Sequence, residues 1–183
     1  MNDEKMLLND QQIYEIIDQL ADKICQEFPG KGDADFALIG IQVRGVLFAE
    51  RLKRSIEKNH GFTPEMGTLD INMYRDDIGM KDKLPVIHET DIPFDLNGRD
   101  IILVDDVLAT GRTIRAALDA LTGFGRPGLI RLAVLVDRDA REFPIRADYA
   151  GAILKDKDDR RVKVCWQEIN NRDCVLEVEW NKK

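Results

Sequence analysis

Residues 101–113 read Ile101-Ile102-Leu103-Val104-Asp105-Asp106-Val107-Leu108-Ala109-Thr110-Gly111-Arg112-Thr113. Four apolar residues form a buried strand, Ile101 to Val104. Two adjacent carboxylates follow it. A short turn carries Thr110, Gly111 and Thr113, and a helix begins at Thr113 and runs to Phe124, with Ile114, Ala117, Leu118 and Leu121 on one face. A helix N-terminus offers unpaired backbone N–H groups and the positive end of a dipole, so it suits a phosphate. Gly111 lets backbone approach closely. Threonine hydroxyls add hydrogen bonds, and a strand-end carboxylate matches the vicinal hydroxyls of a sugar. The segment therefore reads as a site for a ribose bearing a 5′-phosphate at the carboxyl end of a sheet strand. An ordinary acidic turn is the competing reading of Asp-Asp alone. The chain has neither the GxxxxGK[ST] phosphate loop nor the GxGxxG dinucleotide fingerprint.

Outward from this segment the elements alternate. Upstream, Ile13, Ile16, Ile17, Leu20 and Ile24 recur at helical spacing over residues 10–27, with Asn9 or Asp10 as N-cap and Pro29-Gly30-Lys31-Gly32 as terminator. Phe36 to Ile41 is a buried strand, and Val46 to about Lys58 a second helix. Residues 67–74 alternate apolar and polar, which predicts a strand. Residues 75–98 are polar and broken by Gly79, Pro85, Pro93 and Gly98, which predicts a long loop of the kind that usually serves function. Downstream, Ile130 to Val136 is a third buried strand closed by Asp137-Arg138. Val162 to Trp166 and Cys174 to Trp180 flank Asn170-Asn171 as a hairpin. Strand-helix alternation predicts an α/β fold with a central parallel sheet covered by helices on both faces.

Composition narrows the classes. The 183 residues carry net charge −7, which excludes a protein that coats nucleic acid or anionic membrane with its whole surface. The three cysteines, Cys25, Cys165 and Cys174, suit neither a disulfide framework nor a CxxC metal site. With His60 and His88 the only histidines, a His-rich metal site is excluded. No apolar run approaches the ~20 residues of a membrane span, and MNDEKMLLND lacks the pattern of a signal peptide. The expectation is a reduced, cytoplasmic protein without membrane attachment.

Val104 to Thr113 resembles the 5-phosphoribosyl-1-pyrophosphate (PRPP) motif of type I phosphoribosyltransferases. Ile39 to Val46, Leu69 to Asp77 with its Tyr74-Arg75-Asp76-Asp77, Gly125-Arg126-Pro127, Leu132 to Arg138 and Arg141 to Tyr149 resemble one subfamily, the bifunctional pyrimidine-operon attenuators and uracil phosphoribosyltransferases. The resemblance spans roughly Ile13 to Gly151. It implies a single phosphoribosyltransferase domain over 1–183, with a flexible flap at about 74–90, a small hood from the terminal segments and a C-terminal hairpin. The implied reaction is Mg²⁺-dependent transfer of ribose 5-phosphate from PRPP to a nucleobase, foremost uracil, giving UMP and pyrophosphate. The alternatives are an RNA-binding attenuator that senses nucleotides or PRPP, and a silent protein on the same fold.

By the same resemblance Asp105 and Asp106 hold the ribose hydroxyls and help place a Mg²⁺ carried by PRPP, with no metal bound by the protein alone. Ala109, Thr110, Gly111, Arg112 and Thr113 wrap the 5′-phosphate. Arg44 and Gly45 lie in the pyrophosphate loop between the strand ending at Ile41 and the helix from Val46. Arg75, on the flap, reaches pyrophosphate. Val136 and Arg138 lie beside the base. Arg141, Arg146 and Asp148 fit a buried or interface polar network, and Phe143-Pro144 a turn with an apolar plug. A homo-oligomer is implied.

The chain departs from the subfamily at three places. Ala109 replaces the usual tyrosine, and it offers no acid or base group of the kind purine enzymes place there. Asp139-Ala140 replaces Gly-His beside the base site. Helix 10–27, part of the subfamily's RNA surface, carries Lys23 against Asp10, Glu15, Asp18, Asp22 and Glu27, net −4. That charge opposes RNA as a partner, because RNA affinity rests on cations meeting phosphate. The segment 155–161 is mixed in charge. A basic face would need Arg126, Arg131, Arg138, Arg141 and Arg146 to gather.

Overall fold

A computed structural model describes residues 4–29, 36–76, 88–155 and 160–179. In chain order the elements are β1 (Lys5–Leu8), α1 (Asp10–Glu27), β2 (Phe36–Ile41), α2 (Arg44–His60), β3 (Glu65–Leu69), a 3₁₀ turn (Asn72–Tyr74), β4 (Asp100–Leu108), α3 (Arg112–Leu121), β5 (Leu129–Asp137), β6 (Tyr149–Ile153), β7 (Arg160–Cys165), α4 (Gln167–Asn170) and β8 (Cys174–Glu179).

Five strands form one parallel sheet in the order β3-β2-β4-β5-β6. Both faces are buried, and alternate residues of each central strand serve opposite faces. Leu38, Ile102, Val104 and Leu135 pack with Ile17, Leu20 and Ile24 of α1 and Phe48, Leu52 and Ile56 of α2. Ile39, Ile41, Leu103 and Val134 pack with Ile114, Ala117 and Leu121 of α3. Successive helices thus leave the adjacent strands β2 and β4 on opposite faces. A crevice opens outside the carboxyl ends of those two strands, where open α/β sheets bind ligands.

A second sheet, β1-β8-β7, is antiparallel. Its Val164 and Val175, with Trp166 just after β7, join the core beneath α1 and α2. Trp166 is fully buried, stacked on Phe48 with ring centroids 6.2 Å apart.

Several boundaries differ from the sequence expectations. The 67–74 strand ends at Leu69 and gives way to the 3₁₀ turn, because the Asp70 carboxylate captures the Asn72 N–H at 2.6 Å. The second helix starts at Arg44, so Arg44 and Gly45 form its first turn rather than a preceding loop. The strand begun at Ile101 continues through Asp105 and Asp106 to Leu108, and its helix begins at Arg112 and ends at Leu121. The hairpin gains α4 in its connection and β1 as a third strand. Of the loop 75–98, residues 77–87 lie outside the described residues. Trp180, Gly30 to Lys31-Gly32 and most of 155–161 do as well. No described helix is long and apolar enough to cross a membrane.

Candidate active site

The crevice is assembled from four segments. The first is the β2–α2 junction. A Cβ on Gly40 would lie 2.6 Å from Val46 Cα, and one on Gly45 would lie 2.5 Å from the Val104 carbonyl oxygen. Two missing side chains therefore let the first turn of α2 rest on β2 and β4. The Gln42–Val43 peptide is cis. Arg44, half-buried, lies close enough to Asp106 to favour its ionised form. The Arg44 Nε has no hydrogen-bond partner among the described residues, which leaves a donor suited to an anionic ligand.

The second segment is the end of β4. Asp105 is 7% exposed and Asp106 half-buried. Burial pushes the Asp105 carboxyl well above the usual carboxylate range, and the neighbouring Asp106 pushes it further. Burial pushes Asp106 up to about 6, opposed by Arg44. Two desolvated carboxylates side by side are costly without a cation or hydroxyl donors to meet them. The Asp106 N–H donates to Asp105 Oδ1 at 3.0 Å.

The third segment is the turn into α3. Gly111 has φ +91°, a conformation that penalises any Cβ, and it precedes the first turn of α3, whose amides have no helical carbonyl to bond. The Arg112 N–H donates to Thr110 Oγ1 at 3.3 Å. The Arg112 side chain is held outward by Glu142 (2.7 Å) and by Asp76, with its guanidinium 5.2 Å from the Phe143 ring centre. The Thr110 carbonyl accepts the N–H groups of Glu142 and Phe143 at 3.0 and 2.9 Å. Arg75 brings the fourth segment over this turn, its Nη1 donating to Thr113 Oγ1 at 3.3 Å.

Beyond β5, Val136 is fully buried and its side chain belongs to the core under α1 and α2. The Arg138 N–H donates to the Leu108 carbonyl at 2.8 Å. Its guanidinium is pushed below the usual arginine range by burial and by Arg161, a hood cation. Arg141 is consumed internally: it bonds the Ala109 carbonyl (2.8 Å), the Ile145 carbonyl (2.7 Å) and the Asp137 carboxylate. It thereby ties the β4–α3 turn to the loop after β5. Asp148 accepts the Leu132 N–H at 2.8 Å, while Arg146 is exposed. Asp139 adopts φ +53°, a conformation that favours glycine, and its carboxylate lies 3.1 Å from Lys155 Nζ.

The crevice thus gathers Arg44, Gly45, Arg75, Asp105, Asp106 and residues 109–113. Two residues beside the site carry no functional signal in the sequence. Asp70 alternates with apolar neighbours like one polar step of a strand, and Arg161, near enough to act on Arg138, lies in a β strand whose pairing only the fold reveals.

The profile of the phosphoribosyl transferase domain matches residues 3–168. The chain belongs to that family. Curated relatives named Bifunctional protein PyrR include one from Roseiflexus sp. (strain RS-1), 47% identical over 167 residues, covering 91% of this chain and 90% of the relative. Another, from Alkaliphilus metalliredigens (strain QYMF), is 44% identical over 176 residues and covers 96% of each. Solved structures share the fold at lower identity. A hypoxanthine-guanine phosphoribosyltransferase from Bacillus anthracis matches with TM-score 0.71 at 20% identity, covering 94% of this chain and 96% of that one. The Trypanosoma cruzi hypoxanthine phosphoribosyltransferase matches with TM-score 0.72 at 18% identity, covering 97% of each. This phosphoribosyltransferase therefore carries the type I fold, and it shares 44–47% identity with relatives named PyrR.

Proposed function

We propose that the protein transfers ribose 5-phosphate from PRPP to uracil, releasing UMP and pyrophosphate. One observation carries this reading: buried Asp105 and half-buried Asp106, both with raised pKa, end β4 beside a glycine-opened helix N-terminus. The α3 N-terminus, Thr110 and Thr113 hold the 5′-phosphate. Asp105 and Asp106 accept the ribose hydroxyls, and their charge favours the oxocarbenium character that develops at the anomeric carbon. Arg44 and Arg75 take up the charge of the departing pyrophosphate. No protein nucleophile is needed, since positioning and charge neutralisation supply the catalysis.

Hard carboxylate oxygens suit Mg²⁺. Asp105 and Asp106 would hold it, while no group of three His, Cys, Asp or Glu forms a metal cage among the described residues. When bound, the ion would supply charge neutralisation of the pyrophosphate. At the base, Arg138 is the polar partner, with Val136 behind it. Ala109 gives no acid to protonate a purine N7, which favours a pyrimidine. Asp139 answers to Lys155, so its replacement of glycine is compatible with uracil.

Relatives are named bifunctional, and RNA attenuation is the second role weighed. Three of the five α1 carboxylates are engaged with other elements. Asp18 accepts from Ser55 at 2.6 Å, Asp22 lies 2.8 Å from His60 Nε2, and Glu27 holds Arg131 at 2.7 Å and Tyr149. Of the five arginines a basic face would gather, Arg131 and Arg141 are likewise engaged, while Arg126 and Arg146 are exposed. We infer that RNA attenuation is weakened or absent.

The test is pyrophosphate release from PRPP and Mg²⁺ with uracil, hypoxanthine, guanine, xanthine or orotate supplied singly. Release with uracil alone is expected. Release with a purine alone overturns the substrate, and a tight, salt-sensitive, sequence-specific shift of a pyrimidine-leader hairpin overturns the inference on RNA.

A further inference from the structure

Asp70 ends β3 at the point where the chain leaves toward Arg75 and where it returns from residue 88. Its Oδ1 accepts the Asn72 N–H at 2.6 Å. Its Oδ2 accepts the Asn72 side-chain amide at 3.2 Å and the His88 N–H. Its own N–H donates to Thr90 Oγ1 at 3.0 Å. One carboxylate therefore binds residues on both limbs. Beside it, Thr68 and Asp91 exchange N–H···O bonds of 2.7 and 3.0 Å.

The consequence runs along the outgoing limb. Capture of the Asn72 N–H turns the chain into the 3₁₀ turn, where the Tyr74 N–H bonds the Ile71 carbonyl at 2.9 Å. Ile71 is 4% exposed and packed in the core against α3, whereas Met73, two residues on, is 71% exposed. The Tyr74 carbonyl accepts from Arg115 Nη2 at 3.2 Å. These contacts fix the backbone immediately before Arg75, whose guanidinium then meets Thr113 of the phosphate turn. A continued strand would have carried Arg75 elsewhere, because a strand advances ~3.3 Å per residue.

We propose that Asp70 is a positioning residue for Arg75, holding the guanidinium over the turn that receives PRPP. The inference rests on the transferase reading above. Asp70 touches no substrate, and it acts only through Arg75. Misplacement of a charge-neutralising group by about 1 Å is enough to cost on the order of 100-fold in rate.

The test is a double-mutant cycle in the uracil-dependent assay, with Asp70→Ala, Arg75→Ala and the double variant of the full chain. Asp70→Ala should lower kcat about 10- to 100-fold and leave the KM for uracil within about twofold, the cycle being non-additive. The double variant should be within about twofold of Arg75→Ala. Asp70→Asn keeps one oxygen for the Asn72 N–H and should recover part of the loss. It also replaces Asp70→Ala in the cycle if that variant does not fold. Losses that multiply in the double variant, or an unchanged kcat in Asp70→Ala, overturn the proposal while leaving the transferase reading intact. A wild-type protein that turns over no base overturns the transferase reading instead, and the cycle is then read in PRPP affinity by calorimetry. Wild type that binds no PRPP overturns both.

Discussion

Asp105 and Asp106 place two carboxylates in a setting that opposes their charge. Free Asp titrates near 4, and Asp106 in the fold titrates at about 6. Between these values the folded chain binds more protons than the unfolded chain, so this group's contribution to stability falls as pH rises through that window. The contribution is absent below pH ~4 and fully unfavourable above pH ~6. Asp106→Asn should therefore gain about 1–2 kcal/mol at pH 7 and lose pyrophosphate release. The gain over wild type should close as pH falls toward 4. Urea denaturation at several pH values measures it, and a gap that does not shrink in acid would contradict the assignment. The site trades stability for function, as sites built on desolvated charge do.

At the scale of elements, the crevice depends on how closely α2 approaches β4. Gly45→Ala puts a methyl 2.5 Å from the Val104 carbonyl and 3.1 Å from Asp105 Cα. The backbone under Asp105 must move, at a cost of about 1–3 kcal/mol, and PRPP affinity should fall with it. Gly61→Ala is the contrast. Gly61 has φ +75° with nothing within 4 Å, so only left-handed strain of about 1 kcal/mol applies, and PRPP affinity should be retained. Thermal melts and PRPP titration of both variants check this pair. The sheet and main helices were legible because their apolar periods of two and 3.6 survive into the fold. Residues 67–74 misled because Leu69, Ile71 and Met73 alternate like a strand, while a side-chain bond from Asp70 redirects the backbone. β6 was invisible for another reason. Tyr149-Ala150-Gly151-Ala152-Ile153 has poor strand propensity, and Gly151 is there because a Cβ would sit 2.4 Å from Ile16 of α1. The β4–α3 turn and both carboxylates were readable as a local motif. Arg44 and Arg75, which lie near those carboxylates, come from distant segments that no spacing rule joins, so only a resemblance to a known family named them.

At the scale of the whole molecule, Arg51 fastens the small sheet to the large one. Its guanidinium bonds Glu168 at 2.9 Å and Asp173 at 3.0 Å and lies 4.5 Å from the Trp166 ring centre. The side chain is 15% exposed, and its partners Glu168 and Asp173 are 42% and 27% exposed, so solvent screens these pairs in part. Arg51→Ala should cost about 1–3 kcal/mol and speed amide exchange over 166–173 before the β4–β5 ladder. Uniform acceleration across both sheets would show that the hood does not open separately.

Strand β1 takes its partners from β8, with Lys5 opposite Glu177 and Met6 opposite Leu176. A ribosome delivers those partners only after nearly everything between them. The main sheet can close as β2 to β6 emerge, since its pairings join nearer segments. β1, by contrast, waits with its edge bare until β8 has been made, a period in which an open strand edge is vulnerable to wrong pairing. Charge near that edge, with Glu4 and Lys5 preceding the apolar Met6 to Leu8, disfavours stray strand addition while the native partner is still to come.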